Sequence, residues 1–130
     1  MSDLDLLVLE KLIPFREKAL VVLAQQHPFV HAFLNAYLKD KNNRVGFQIT
    51  ENGQVAGTYT FTLDGLHISK TDIGVLEPAF HAPFLGTVKL YALTEKSELK
   101  KMLADQSLLT DDIFKVAREY LPMMTIKFAK

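Results

Sequence analysis

The sequence predicts an α+β fold in two layers, with one five-stranded, mostly antiparallel sheet and helices packed on one face of it. Three observations carry this reading. From Arg44 to Lys70 apolar residues alternate with polar ones at a period of two, the mark of half-buried strands. Before residue 41 and after Thr94 apolar residues recur at helical spacing instead. At the end, Met124, Ile126 and Phe128 alternate with Thr125, Lys127 and Ala129, which returns the chain to a strand.

Taken in order, Ser2 caps a helix over about residues 3 to 12, with Asp3 and Asp5 placed to interact with its dipole. Pro14 interrupts that helix and starts a second, which runs to Gln26 and is apolar around almost its whole circumference. A third is expected from Pro28 to Lys39, with Phe29, Phe33, Ala36 and Tyr37 as its face. The central meander follows. Val45, Phe47 and Ile49 in its first strand and Val55, Tyr59, Phe61 and Leu63 in its second belong to one face, whereas Ala56, Thr58, Thr60 and Thr62 form a solvated row. Phe61→Ser is therefore expected to be severe and Thr60→Ser mild.

Directly opposed residues must share a face, so the turns are constrained. A two-residue type I′ loop at Asp64-Gly65 pairs Leu63 with Leu66. A three-residue loop over Glu51-Asn52-Gly53, with Gly53 left-handed in a bulge, pairs Ile49 with Val55 and Val45 with Tyr59. Val88, Leu90 and Ala92 predict the fourth strand. Thr94 caps a helix carrying Leu99, Met102 and Leu103, and Thr110-Asp111-Asp112 opens another through Ile113, Phe114 and Ala117 that Pro122 stops. A single domain over residues 1–130 is expected, with a helical layer over 1–41 and the sheet with its helices over 44–130.

Composition narrows the function. Fifteen basic residues balance fifteen acidic ones, so no net field draws the protein to nucleic acid, and the cluster Lys39 to Arg44 has an acid inside it and no interleaved aromatics. Without cysteine, disulfides and thiolate chemistry are excluded. The first residues lack a basic region, and the longest wholly apolar run near them, Ala19 to Ala24, is short for an export signal or a membrane span. The expectation is a soluble, cytoplasmic protein with no transmembrane segment. Nine phenylalanines and four methionines are a surplus available for a core, a cavity or a dimer face.

Reactive motifs are scarce. His27 and His31 have i, i+4 spacing, but Pro28 follows His27 where a metalloprotease helix would carry glutamate, so no metal is expected. His67 reads as a surface residue and His81 as a structural group in an apolar loop. Asp111 and Asp112 suit a helix N-terminus better than an acid–base pair. No nucleophile elbow, phosphate loop or dinucleotide fingerprint is present. The protein is expected to be no enzyme and to need no cofactor.

Gly57-Thr58-Tyr59-Thr60-Phe61-Thr62-Leu63-Asp64-Gly65 is similar to a Gly-Thr-aromatic strand and turn, and Val88 to Leu99 to a fourth strand and capped acidic helix start, of the sterol carrier protein type two family. The order of elements resembles that family along nearly the whole chain. Two segments differ: Ala104-Asp105-Gln106-Ser107 and Leu121-Pro122-Met123-Met124 stand where the family has Gly-Lys segments. The resemblance implies a five-stranded sheet with an apolar tunnel under its helices, and non-catalytic binding or transfer of a lipid, sterol or fatty acyl group.

The expected site lies between the sheet face (Phe47, Ile49, Tyr59, Phe61) and the terminal elements (Phe114, Met124, Phe128). Phe80, Phe84 and Leu85 form part of a lid, and Tyr59 or His81 orients a polar head. The segment Ile73 to Leu85, with Pro78 and Pro83 and no regular period, is expected to dock by side-chain burial alone and act as a gate, poorly protected from hydrogen exchange until ligand binds. The alternative is an interaction module with a filled core, a possible homodimer built on the helix from Pro14 to Gln26.

Overall fold

The computed structural model describes residues 2–82, 86–105 and 107–129. Pro83, Phe84 and Leu85, the last part of the expected lid, lie outside them.

The chain opens with one long helical run. α1 (Asp3–Leu6) passes into a π-helical stretch (Leu7–Leu12) and then into α2 (Ile13–Gln26). Ser2 Oγ accepts the Asp5 N–H (3.1 Å) and an Asp5 carboxylate oxygen accepts the Ser2 N–H (3.2 Å), a complete capping box. Pro14 does not end the run as its missing N–H suggests. The backbone ahead of it adopts i→i+5 bonding, with the Ile13 N–H reaching the Val8 carbonyl, and Pro14 falls in the tolerated first turn of α2. α3 (Pro28–Leu38) follows after His27.

The sheet has six strands rather than five, and it is mixed. β1 (Arg44–Glu51), β2 (Gln54–Asp64) and β3 (His67–Ile73) form the meander, β4 is Phe80–Ala82, β5 is Gly86–Glu95 and β6 is Thr125–Ala129. The order runs β3-β2-β1-β5, and both β4 and β6 pair with β5. β1 and β5 are parallel, Phe47 opposite Ala92, while the other pairs are antiparallel. β4 is the strand that sequence did not predict, because three residues carry no readable period.

Both turns differ from expectation. Asn52 and Gly53 both have positive φ (54° and 81°), so the first hairpin closes on a two-residue type I′ loop. A bulge beyond Ile49 and Thr50 then absorbs Ala56 and restores the faces, giving Phe47 opposite Tyr59 and Val45 opposite Phe61. In the second hairpin Asp64 pairs with His67, so the loop is Gly65-Leu66 with Gly65 at φ 61°. Leu66 is thereby released from the ladder. Its N–H bonds Asn35 Oδ1 (3.0 Å) and its side chain packs among Leu20, Leu38 and Val116.

The helices α4 (Lys96–Ala104), α5 (Ser107–Thr110) and α6 (Ile113–Tyr120) separate β5 from β6. Glu95 rather than Thr94 precedes α4, and Thr94 is buried at the end of β5. Asp112 caps α6 by accepting the Phe114 N–H (2.9 Å). Gln26 ties α2 to that cap, donating to the Asp111 carbonyl (2.7 Å) and accepting the Ile113 N–H (2.8 Å).

The second face of the sheet is covered at its centre, contrary to the solvated row expected there: Ala56 is exposed, Thr58 and Thr62 are half-buried and Thr60 is buried. Thr60 is 1% exposed; its hydroxyl donates to the Val75 carbonyl (2.6 Å) and accepts the Glu77 N–H (3.0 Å). A Cβ on Gly46 would collide with Leu76 Cδ1, so glycine is what lets Leu76 lie flat on β1. The segment after β3 thus crosses the outer face. Backbone bonds hold it: Gly74 N–H to the Thr58 carbonyl (2.7 Å) and a reciprocal pair between Arg44 and Ala79 (3.0 and 2.9 Å). Asn43 Oδ1 then accepts the His81 N–H (2.9 Å) and anchors β4.

Candidate functional site

On the inner face the buried residues fall into two groups. Leu4, Val8, Ile49, Tyr59 and Leu99, with Phe47 and Phe61, pack at one end; Leu20, Leu23, Leu38, Leu66, Ile113 and Val116 pack at the other. Met102 touches both. Between them is an open-sided cavity of about 480 Å³, within the size range of small-molecule sites. Its floor is sheet: Val45 and Phe47 from β1, Phe61 and Leu63 from β2, Ile68 from β3, and Leu90 and Ala92 from β5. Its roof is helix: Leu12 at the end of the π-helical stretch, Phe15, Arg16 and Ala19 from α2, and Met102 from α4. Met124 and Ile126 close one side, where Ile126 remains half exposed beside Ala92.

The alternation of the sequence explains the floor. Val45 and Phe47 are two residues apart on one strand, as are Phe61 and Leu63, and the parallel register sets Ala92 beside Phe47. The two phenylalanine rings lie 6.1 Å apart at a tilt of 31°, within the range of favourable aromatic pairs.

Of the residues expected at the site, Phe47, Phe61 and Met124 line this cavity. Ile49 and Tyr59 share their face but are fully buried in the first core group, beneath Leu4 and Val8. The Tyr59 hydroxyl does not face the cavity: it donates to Asp5 Oδ1 (2.7 Å) at the start of α1. Burial, then the Asp5 carboxylate, pushes the tyrosine pKa up, and the Tyr59 hydrogen bond holds that of Asp5 below its usual value. Phe80 packs on the helical core group. Phe114 is partly exposed with its ring 4.4 Å from that of His27, and Phe128 is 68% exposed. Phe84 and Leu85 lie outside the described residues.

The remaining histidines and the gate segment also find places. His27 Nε2 is 3.6 Å from Asp112 Oδ1, His67 Nδ1 is 2.8 Å from Glu17, and the exposed His81 ring is 3.3 Å from Thr87 Oγ1. No residue from Ile73 to Ala82 lines the cavity, because that stretch covers the opposite face or packs as β4. The expected gate, as far as Ala82, thus does not border the cavity. Among the described residues no three metal-ligating side chains cluster, and no helix is long and apolar enough to cross a membrane.

Sequence reasoning missed the roof. Phe15 and Ala19 belong to the apolar stripe of the second helix, but neither they nor Leu12 and Arg16 were assigned to the site. A lone charge within an apolar row one turn either side, Leu12 and Ala19, was the available signal.

Fold and cavity together define a small α+β module with a mixed open sheet and apolar space between its layers. No protein-family model matches the chain, and no curated protein matches it by sequence. Among solved structures it is similar to the crystal structure of Sterol Carrier Protein 2 Like 2 from Aedes aegypti, at 14% identity over 87% of each chain with a TM-score of 0.36.

Proposed function

We propose that this protein binds or transfers an apolar ligand, a lipid, sterol or fatty acyl group, without catalysis. The observation that supports this most is the cavity of about 480 Å³ lined almost wholly by aliphatic and aromatic side chains. Affinity in this reading comes from apolar area removed from water, about 25 cal/mol per Å² before the cost of ordering the ligand. Phe47, Phe61 and Met124 grip the chain of the ligand, and Ile126 stands at the entrance. Native mass spectrometry of the purified protein should reveal co-purifying lipid, and a fluorescent fatty acid or sterol analogue should bind and be displaced. Repeated absence of both would remove the proposal.

A second reading, an interaction module, draws support from α3. Phe29 and Phe33 are 90% and 69% exposed on its outer side, whereas α2, the helix first suspected, packs against α3, α5 and α6. A stable dimer in light scattering at micromolar concentration that Phe33→Ser dissolves would favour this reading; a monomer that binds the analogue would favour the first.

A further inference from the structure

On the outer side of the helical layer, the first helical run and α4 frame a second recess. Two hollows of about 440 and 300 Å³ meet there, both bordered by Leu7, Glu10, Lys11 and Lys100. Half-buried Leu7, Phe15 and Leu103 make the floor and pack on the core beneath. Phe15 is the residue this groove shares with the cavity. The groove follows the run from Asp3 to Lys18, a length of about 20 Å at the rise of a helix.

Its walls carry charge. Lys11 and Lys18 are seven residues apart on the first run, and Lys96 and Lys100 are four apart on α4, so each wall presents two lysines. They outnumber the carboxylates of the lining, Asp3 and Glu10. Lys96 is held by Glu51 (2.8 Å). Lys11, Lys18 and Lys100 are exposed and form no ion pair among the described residues, although Glu10 lines the same groove. Like charges four apart weaken a helix, and a chain with no net charge does not need them gathered in one place. The π-helical stretch supplies Leu7, Glu10 and Lys11, and irregularities of that kind recur at functional sites.

We infer that this groove takes an acidic amphipathic helix of a partner protein. The helix lays its apolar side on Leu7, Phe15 and Leu103 and sets its carboxylates between the two rows of lysines. The groove is long enough for about three to four turns. Two facing rows of one charge suit a rod that carries the opposite charge on both flanks. An anionic membrane would meet the lysine tips, but a flat surface leaves the recessed apolar floor uncovered. The inference stands apart from the cavity and does not depend on what the cavity holds.

The test is fluorescence anisotropy of a labelled synthetic peptide about four helical turns long, with leucine along one face and glutamate along the rest. A twin carries glutamine for every glutamate, and each is titrated with the full chain. The acidic peptide should bind about tenfold or more tightly than the twin at low salt and lose that margin as salt rises. The double variant Lys11→Gln, Lys100→Gln should bind the acidic peptide about fivefold or more weakly and the twin as before. Lys127→Gln, an exposed change on β6, should alter neither. Equal affinities for the two peptides, no binding of the acidic one, or equal loss in the double variant and in Lys127→Gln would overturn the inference. So would lysine-dependent sedimentation with phosphatidylglycerol vesicles in the absence of peptide binding, which would assign the groove to a membrane.

Discussion

Replacing Ala92 with leucine separates an empty cavity from a filled core by the sign of its effect. Ala92 lies in the middle of β5, beside Phe47 of β1 on one side and Ile126 of β6 on the other, and borders the cavity. Leucine adds three carbons there. Each is worth about 0.8 kcal/mol when fully withdrawn from water, and because the cavity is open on one side about half of that is realised. The expected gain is about 1 kcal/mol, which raises the urea midpoint by about 0.5 M at the slope usual for a small domain. The same side chain takes the space of the ligand's tail, so parinaric acid should bind about tenfold or more weakly. Equilibrium urea unfolding followed by circular dichroism, with a probe titration, measures both. In an already filled core the added carbons would overpack and cost about 1–3 kcal/mol. A lowered midpoint with undiminished probe binding would refute the cavity.

Other outcomes follow from the outer face and the first helix. Thr60→Val should cost about 2 kcal/mol or more, because the Val75 carbonyl and Glu77 N–H both lose their partner, while Thr60→Ser keeps both bonds and should cost about 1 kcal/mol for the lost methyl; equal midpoints for the two variants would contradict the bonds at Thr60. Hydrogen exchange should protect the Ala79 amide in the ligand-free protein, since it bonds to Arg44, and ready exchange there would contradict that pairing. Asp5 has a folded pKa below its ordinary 3.8, chiefly through Tyr59, so its contribution is present above that pH and lost as pH falls through the folded value. Tyr59→Phe should therefore flatten the acid limb of the stability profile, and an unchanged limb would show that the pair does not contribute.

What was legible in the sequence was parity, and what was not was register. The alternation in Arg44 to Leu63 correctly put Phe47 and Phe61 on the inner face, because a period of two survives any turn that preserves it. Two different arrangements preserve it, however. A three-residue loop and a two-residue loop followed by a bulge at Ala56 both keep Phe47 on the inner face, and Asn52 with positive φ selected the second, which sets Phe47 opposite Tyr59. Thr60 was misread because a polar residue in a strand looks the same whether water or a crossing segment satisfies it. The site was half legible: the floor follows from strand parity, but the roof depends on how the run of helix from Asp3 to Gln26 lies over it. Ile49 and Tyr59 share the floor's parity and still fall outside the cavity, since α1 and the π-helical stretch cover them. Phe128 shares the parity of Leu90, its partner across the strands, yet lies at the exposed edge.

The parallel pairing of β1 with β5 divides the making of the cavity in time. Val45, Phe47, Phe61 and Leu63 come together through tight hairpins, whose short loops close quickly. Leu90 and Ala92 reach β1 only after the chain from Gly46 to Tyr91 has closed on itself, and parallel pairs at such separation are slow to form. Ile126 of β6 arrives later still along the chain, pairing with β5. The near wall thus belongs to the early part of folding and the far wall to its last step. A ligand lodged between them stabilises contacts that the folding transition state lacks, so it slows unfolding and leaves the folding rate almost unchanged. For such a protein a bound chain acts as a latch on the native state, setting how long it lasts once made.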